Sequence, residues 1–182
     1  MSGFSGLKTY QDFRRKDWFE KGYILLNPIT KHKAYIYDYD ELKKDEESFK
    51  EEGFWTKYRE LKKSDPNSYE VQKVKHFFKR KSASEKQSIN YPIQATGALC
   101  FKFSCIYFFK YLRENKLFNI VKMCIPVHDE INIEAPAEIA DSVAKELYNC
   151  MIKAGKIFCT RCFLDADIST LEDGSLPTYW IH

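Results

Sequence analysis

An α+β fold, with antiparallel hairpins packed on helices, is what this sequence predicts. Three observations carry that prediction. Two pairs of short apolar runs are each joined by a turn, within residues 23–37 and within residues 120–135. Around them, residues 7–18, 39–81, 95–115 and 138–153 carry apolar side chains at helical spacing. The chain has 182 residues, 44% hydrophobic and 30% charged, enough for one domain with its own core.

Each element has a local reason. Leu7, Tyr10, Phe13 and Trp18 fall near one helical face, and Gly22 stands where a helix C-terminus is usually capped. Tyr23-Ile24-Leu25-Leu26-Asn27 and Ala34-Tyr35-Ile36-Tyr37 read as paired strands, with Pro28 and Thr30 in the turn between them. From residue 39 to 63 charge is dense and mixed. Leu42, Phe49, Trp55, Tyr58 and Leu61 support one or two amphipathic helices there. The cluster Ser64-Asp65-Pro66-Asn67-Ser68 ends them.

A helix follows over residues 69–81, striped by Val71, Val74, Phe77 and Phe78. Ser84 is placed to cap a short helix that stops before Tyr91-Pro92, because a residue preceding proline is pushed out of helical angles. A long helix is expected over residues 95–115, so rich in Phe and Ile that most of its surface should be buried. Residues 120–127 and 131–135 form the second hairpin, residues 138–153 an amphipathic helix, and residues 163–168 a closing strand.

Composition restricts function only loosely. The formal net charge is +3, from 29 basic and 26 acidic residues, too small an excess to argue for a polyanionic partner. The runs Arg14-Arg15-Lys16 and Lys79-Arg80-Lys81 read as solvated helix faces. The six cysteines follow no apolar leader, which points to free thiols in a reducing, cytoplasmic setting. No apolar run nears the roughly 20 residues of a membrane span, so no membrane partner is expected.

The chemistry concentrates at His128-Asp129-Glu130, the turn of the second hairpin. Adjacent carboxylates on a turn repel each other unless a cation offsets them, and hard divalent ions such as Mg²⁺ prefer such oxygen ligands. Two such metals can clamp the oxygens of a phosphoryl transfer, and a neighbouring histidine can donate to phosphate. As a bare tripeptide it reads first as a plain polar turn. The second informative segment is Asn90-Tyr91-Pro92-Ile93-Gln94. Its amides suit base edges in a minor groove, or sugar and phosphate.

Together, Asn90-Tyr91-Pro92-Ile93-Gln94 and Val127-His128-Asp129-Glu130 resemble the C-terminal motifs of family-A DNA polymerases, the bacterial DNA polymerase I and phage type. Residues 6–24 are similar to that family's helix after the fingers and the strand that follows. Leu164-Asp165-Ala166-Asp167 through Tyr179-Trp180 resembles its closing strand and tail. The resemblance implies that residues 1–182 are the C-terminal palm portion, a palm-type hairpin on helices, with residues 38–79 poorly matched. It implies template-directed nucleotidyl transfer with Mg²⁺ on primer–template DNA and dNTP. Asp129 would be a catalytic metal ligand and Glu130 a secondary acidic group at that site. His128 would contact the primer-terminal phosphate, Gln94 and Asn90 the primer–template, and Lys86 a DNA phosphate.

The chain also departs from the family pattern. Lys86 stands where arginine is usual, which forgoes bidentate geometry. Ala95 replaces a glycine, Leu99 an aspartate and Pro126 a glutamine; proline there fits an edge or a bulge. Motif A, with the second aspartate, and the fingers helix precede the matched segment in the family order. The expectation is therefore a partial polymerase completed by a second polypeptide carrying motif A and fingers. Asp38-Tyr39-Asp40-Glu41-Leu42 resembles the opening of motif A only superficially and reads as a solvated loop.

Other classes give competing expectations. One is a non-catalytic DNA-binding remnant or scaffold of the polymerase fold. Another is a zinc module at Cys159-Thr160-Arg161-Cys162, for which Cys150 and His182 are the extra ligands at hand. The weakest is a cysteine nucleophile, since nothing marks one thiol as activated.

Overall fold

The computed structural model describes residues 5–127 and 129–178. The order of elements is α1 (Ser5–Lys21), β1 (Tyr23–Leu25), β2 (Lys33–Tyr35), α2 (Tyr39–Ser48), α3 (Phe54–Ser64), α4 (Tyr69–Glu114), β3 (Lys122–Val127), β4 (Glu130–Glu134) and α5 (Ala137–Phe158). The fold is α+β, with two separate antiparallel hairpins, β1–β2 and β3–β4. The chain divides into two compact units, Met1–Gln94 and Ala95–His182.

In the first unit, α1 ends as its sequence predicts. Gly22 has φ 74°, and its N–H donates to the carbonyl of Trp18 at 2.9 Å. A Cβ on Gly22 would lie 3.0 Å from the ring of Tyr39, so this turn requires glycine. The expected helical face is only partly the core face. Trp18 is buried, whereas Leu7 is exposed and Phe13 is 57% exposed. The β1–β2 register pairs Tyr23 with Tyr35 and Leu25 with Lys33, which leaves Ile24 and Ala34 on the opposite face. Ile24 joins Trp18, Leu42, Phe49, Val74 and Phe77 in one cluster. Fully burying each such side chain stabilises by roughly 1.5–3 kcal/mol.

The charged segment after the hairpin folds into α2 and α3, as its apolar spacing predicts. It is not simply a solvated face. Asp45 pairs with Lys73 at 3.1 Å, Glu46 with Lys81 at 2.9 Å, and Asp38 with Arg80 at 3.0 Å, while Glu41 lies 3.3 Å from Arg80. Acids from α2 and its N-cap thus meet bases on α4. Aromatic rings close the end of this layer, with Phe49 stacked on Phe54 and edge-on to Phe77.

α4 overturns the expected division into three helices. It runs unbroken from Tyr69–Glu114 with Pro92 inside it. Proline lacks the N–H that would bond to the carbonyl four residues back, here that of Ser88. That carbonyl has another donor: Arg14 Nε reaches it at 3.0 Å. Ser84, expected as a cap, lies buried within the helix.

The second unit packs part of α4, the β3–β4 hairpin and α5 around Phe108, Leu112, Val121, Val143, Leu147 and Cys150. Hairpin and α5 cover one side of α4, so the expectation that most of residues 95–115 is buried does not hold: Ile106 and Phe109 are exposed. β3 pairs with β4 from Lys122↔Glu134 to Val127↔Glu130, with an irregularity between Met123 and Ile125. Pro126 follows directly after that irregularity, opposite Ile131, on a two-stranded sheet where a missing N–H is tolerated.

The expected closing strand over residues 163–168 is irregular instead. Its partner is a helix. Tyr148 on α5 donates to Asp165 Oδ1 at 2.9 Å, and Leu164 sits against Gly155, where an added Cβ would be 3.2 Å away. No helix among the described residues is long and apolar enough to cross a membrane.

Candidate functional site

The acidic hairpin is built from its core side outward. Ile131 and Ile133 on β4 and Met123 on β3 pack against the second unit's core. Alternation along β4 then puts Glu130, Asn132 and Glu134 on the other face. Because Val127 pairs with Glu130, only two positions of sequence separate the strands. Asp129 occupies the turn and is exposed, as is Glu130 at the first position of β4. His128, the expected phosphate donor, lies outside the described residues.

Two consecutive, exposed acidic residues therefore lie at the end of a hairpin held by apolar packing. Among the described residues, none of the ion pairs includes either of them. That donor set suits one side of a hard divalent ion, the rest of whose shell would be water or phosphate oxygen. No group of three or more His, Cys, Asp or Glu that could hold a metal occurs among the described residues. Asp129 and Glu130 thus fit Mg²⁺ as part of a site rather than as a complete one.

The second group lies in the first unit. Lys86, Asn90 and Gln94 recur every four residues along α4, and all three are exposed. Behind them Ser88 is buried, its hydroxyl donating to the carbonyl of Glu85 at 2.7 Å. The backbone here is held from α1. Arg14 donates through Nε to Ser88 and through Nη2 to the carbonyl of Leu25 at 2.8 Å, and Tyr10 donates to the carbonyl of Ile89 at 3.4 Å.

Arg14 is the residue that sequence reasoning missed. Its run was expected to be a solvated face, and Arg15 and Lys16 are exposed, but Arg14 is 8% exposed. The signal was present as Pro92, whose missing N–H leaves the carbonyl of Ser88 in need of another donor if the helix continues through it. Asp38, considered as a motif A substitute, has its carboxylate engaged by Arg80 instead.

The thiols have a different chemistry. Burial first, then the neighbouring Cys159, raises the Cys100 pKa above its ordinary value; burial and then Cys162 do the same for Cys159. A raised pKa means less thiolate, the opposite of an activated nucleophile. Cys159 and Cys162 share a shallow depression with Lys156 and Arg161. Two cations there oppose the binding of another.

Known proteins supply the remaining evidence. A family profile described as DNA polymerase family A matches residues 4–171. The chain is also similar to a DNA polymerase of Bacillus phage SP01, 37% identical over 73 residues, which is 40% of this chain and 8% of that protein. The matched part is thus a small fraction of the phage enzyme's length. No solved structure matches. With the profile spanning both the Asn90–Gln94 segment and the acidic hairpin, the chain belongs to DNA polymerase family A.

Proposed function

We propose that this chain is the C-terminal palm portion of a family-A DNA polymerase and takes part in template-directed nucleotidyl transfer. The observation that carries this reading is the family match over residues 4–171, which includes both the amide segment of α4 and the hairpin tip. The exposed pair Asp129 and Glu130 supports it chemically.

In this reading Asp129 is a ligand of Mg²⁺ and Glu130 a secondary acid beside it. The ion, when bound, stabilises charge that develops on phosphoryl oxygens. His128 donates to the primer-terminal phosphate. Asn90 and Gln94 hold the primer–template through its minor groove or backbone, and Lys86 contributes a point charge to a phosphate. The positioning value of Asn90 and Gln94 depends on a stiff helix, and Arg14 stiffens α4 beside Pro92. The second aspartate and the fingers come from polypeptide beyond these residues, in the same chain or in another.

The test is primer extension with Mg²⁺ and dNTPs on a primed template. The chain is assayed alone and then together with the polypeptide carrying motif A and fingers. Extension in the combined reaction only is expected. Tight binding of primed DNA with no extension in either reaction favours the DNA-binding remnant instead, and absence of DNA binding overturns both readings.

A further inference from the structure

The lysines and arginine of α4 within residues 69–94 fall into two sets. Lys73, Arg80 and Lys81 are neutralised by Asp45, Asp38, Glu41 and Glu46. Lys75, Lys79 and Lys86 are exposed, and none of the ion pairs among the described residues includes them. Lys75 donates to the carbonyl of Pro66 at 3.3 Å, a contact that leaves its charge uncompensated.

The second set is ordered. At about 100° per residue, Lys75, Lys79, Lys86 and Asn90 lie within about 60° of arc on the helix surface. The paired bases lie about 100–200° around from Lys79, beside the buried face of Val74, Phe77 and Ser88. Lys75 to Asn90 spans about 22 Å of helix, the length of about six or seven base pairs of duplex. A basic stripe along one helix face is the electrostatic footprint of a nucleic-acid backbone.

We propose that Lys75 and Lys79 extend the primer–template contact of Lys86, Asn90 and Gln94 along α4, following the duplex backbone for a further half-turn of DNA or more. This rests on the reading of Asn90 and Gln94 as primer–template contacts. It adds a second role to the segment over residues 38–79: its acids neutralise the inward bases of α4 and leave the outward ones for phosphate. Contacts of this kind are blind to sequence and set affinity and register.

The experiment is fluorescence anisotropy of the full chain with primed duplexes of graded length, over a range of salt. The variants are Lys75→Ala/Lys79→Ala, Asn90→Ala/Gln94→Ala, and Lys57→Ala/Lys63→Ala as an exposed control pair on α3. Circular dichroism verifies folding. The Lys75/Lys79 pair should weaken binding roughly tenfold at low salt and reduce the salt slope by up to about 1.8, at about 0.9 per phosphate. That loss should vanish on duplexes shortened by about seven base pairs, and the control pair should bind like wild type. If Asn90→Ala/Gln94→Ala weakens binding but the Lys75/Lys79 pair leaves affinity, slope and length dependence unchanged, the extension is wrong and the primer–template reading stands. An equal loss in the control pair also overturns it, as general charge. If wild type binds no primed duplex, both fall.

Discussion

Arg14 Nε donates to the carbonyl of Ser88 at 3.0 Å, taking the place of the N–H that Pro92 lacks. Its Nη2 holds the carbonyl of Leu25 at 2.8 Å, so one guanidinium ties α1, the end of β1 and the proline turn of α4 together. Removing it leaves two backbone acceptors short of a donor. Arg14→Ala should lower stability by about 2–3 kcal/mol in urea unfolding. On a Pro92→Ala background the restored N–H can serve Ser88, and the same substitution should cost about 1 kcal/mol less. Equal costs in the two backgrounds would show that the guanidinium does not substitute for the proline's missing donor.

This contact also explains where sequence reasoning stopped. Gly22, both hairpins and the spacing of α2, α3 and α5 were legible because each depends on residues within a turn or two of itself. The place where β3 turns back into β4 was legible for the same reason: Val127 and Glu130, which pair, are three residues apart. The helix break at Pro92 was expected on sound local grounds and is absent, because its remedy comes from a residue 74 positions away. The lost closing strand has the same origin, since Tyr148 and Gly155 give Asp165 and Leu164 a helix to lie on. Charge counting could not tell Arg80, held by Asp38, from exposed Lys79, one residue before it.

Asp38 offers a clean discrimination between a structural and a metal-binding carboxylate. Its partner Arg80 also meets Glu41, and both Asp38 and Arg80 are partly exposed. Asp38→Ala should therefore lower stability by no more than about 1 kcal/mol. Primer extension by a polymerase containing these residues should be unchanged. Loss of extension at unchanged stability would instead make Asp38 part of the metal site.

Cys150 gives a pH signature. Burial first, then the charge of Glu146, pushes its thiol up from 9.0 to about 11. The unfolded chain loses this proton near the ordinary value and the folded chain holds it longer, so stability falls as pH rises from about 9 to about 11. Cys150→Ala should be less stable at neutral pH because it leaves a small cavity, but its stability should decline less steeply over that window. Urea midpoints for both proteins at pH 8, 9, 10 and 11 measure the difference, and parallel declines would refute the assignment.

Under the proposed function, variants of Asp129 and Glu130 should separate catalysis from binding. Both are exposed and enter no ion pair among the described residues, so Asp129→Ala should change stability by less than about 0.5 kcal/mol. If it is a metal ligand, as proposed, its loss should reduce Mg²⁺-dependent primer extension by a thousandfold or more, about 4 kcal/mol of transition-state stabilisation. Glu130→Gln keeps the size and one oxygen of the side chain, and as the secondary acid it should cost roughly tenfold, about 1.4 kcal/mol. DNA binding without metal should move the other way. Each carboxylate repels the phosphates it faces, so removing one should leave affinity for primed DNA unchanged or slightly tighter at low salt. Anisotropy in EDTA reads the binding, and extension in Mg²⁺ reads the chemistry. Weaker metal-free binding by Asp129→Ala would mean that the hairpin holds DNA directly rather than through an ion, and undiminished extension would remove Asp129 from the metal site.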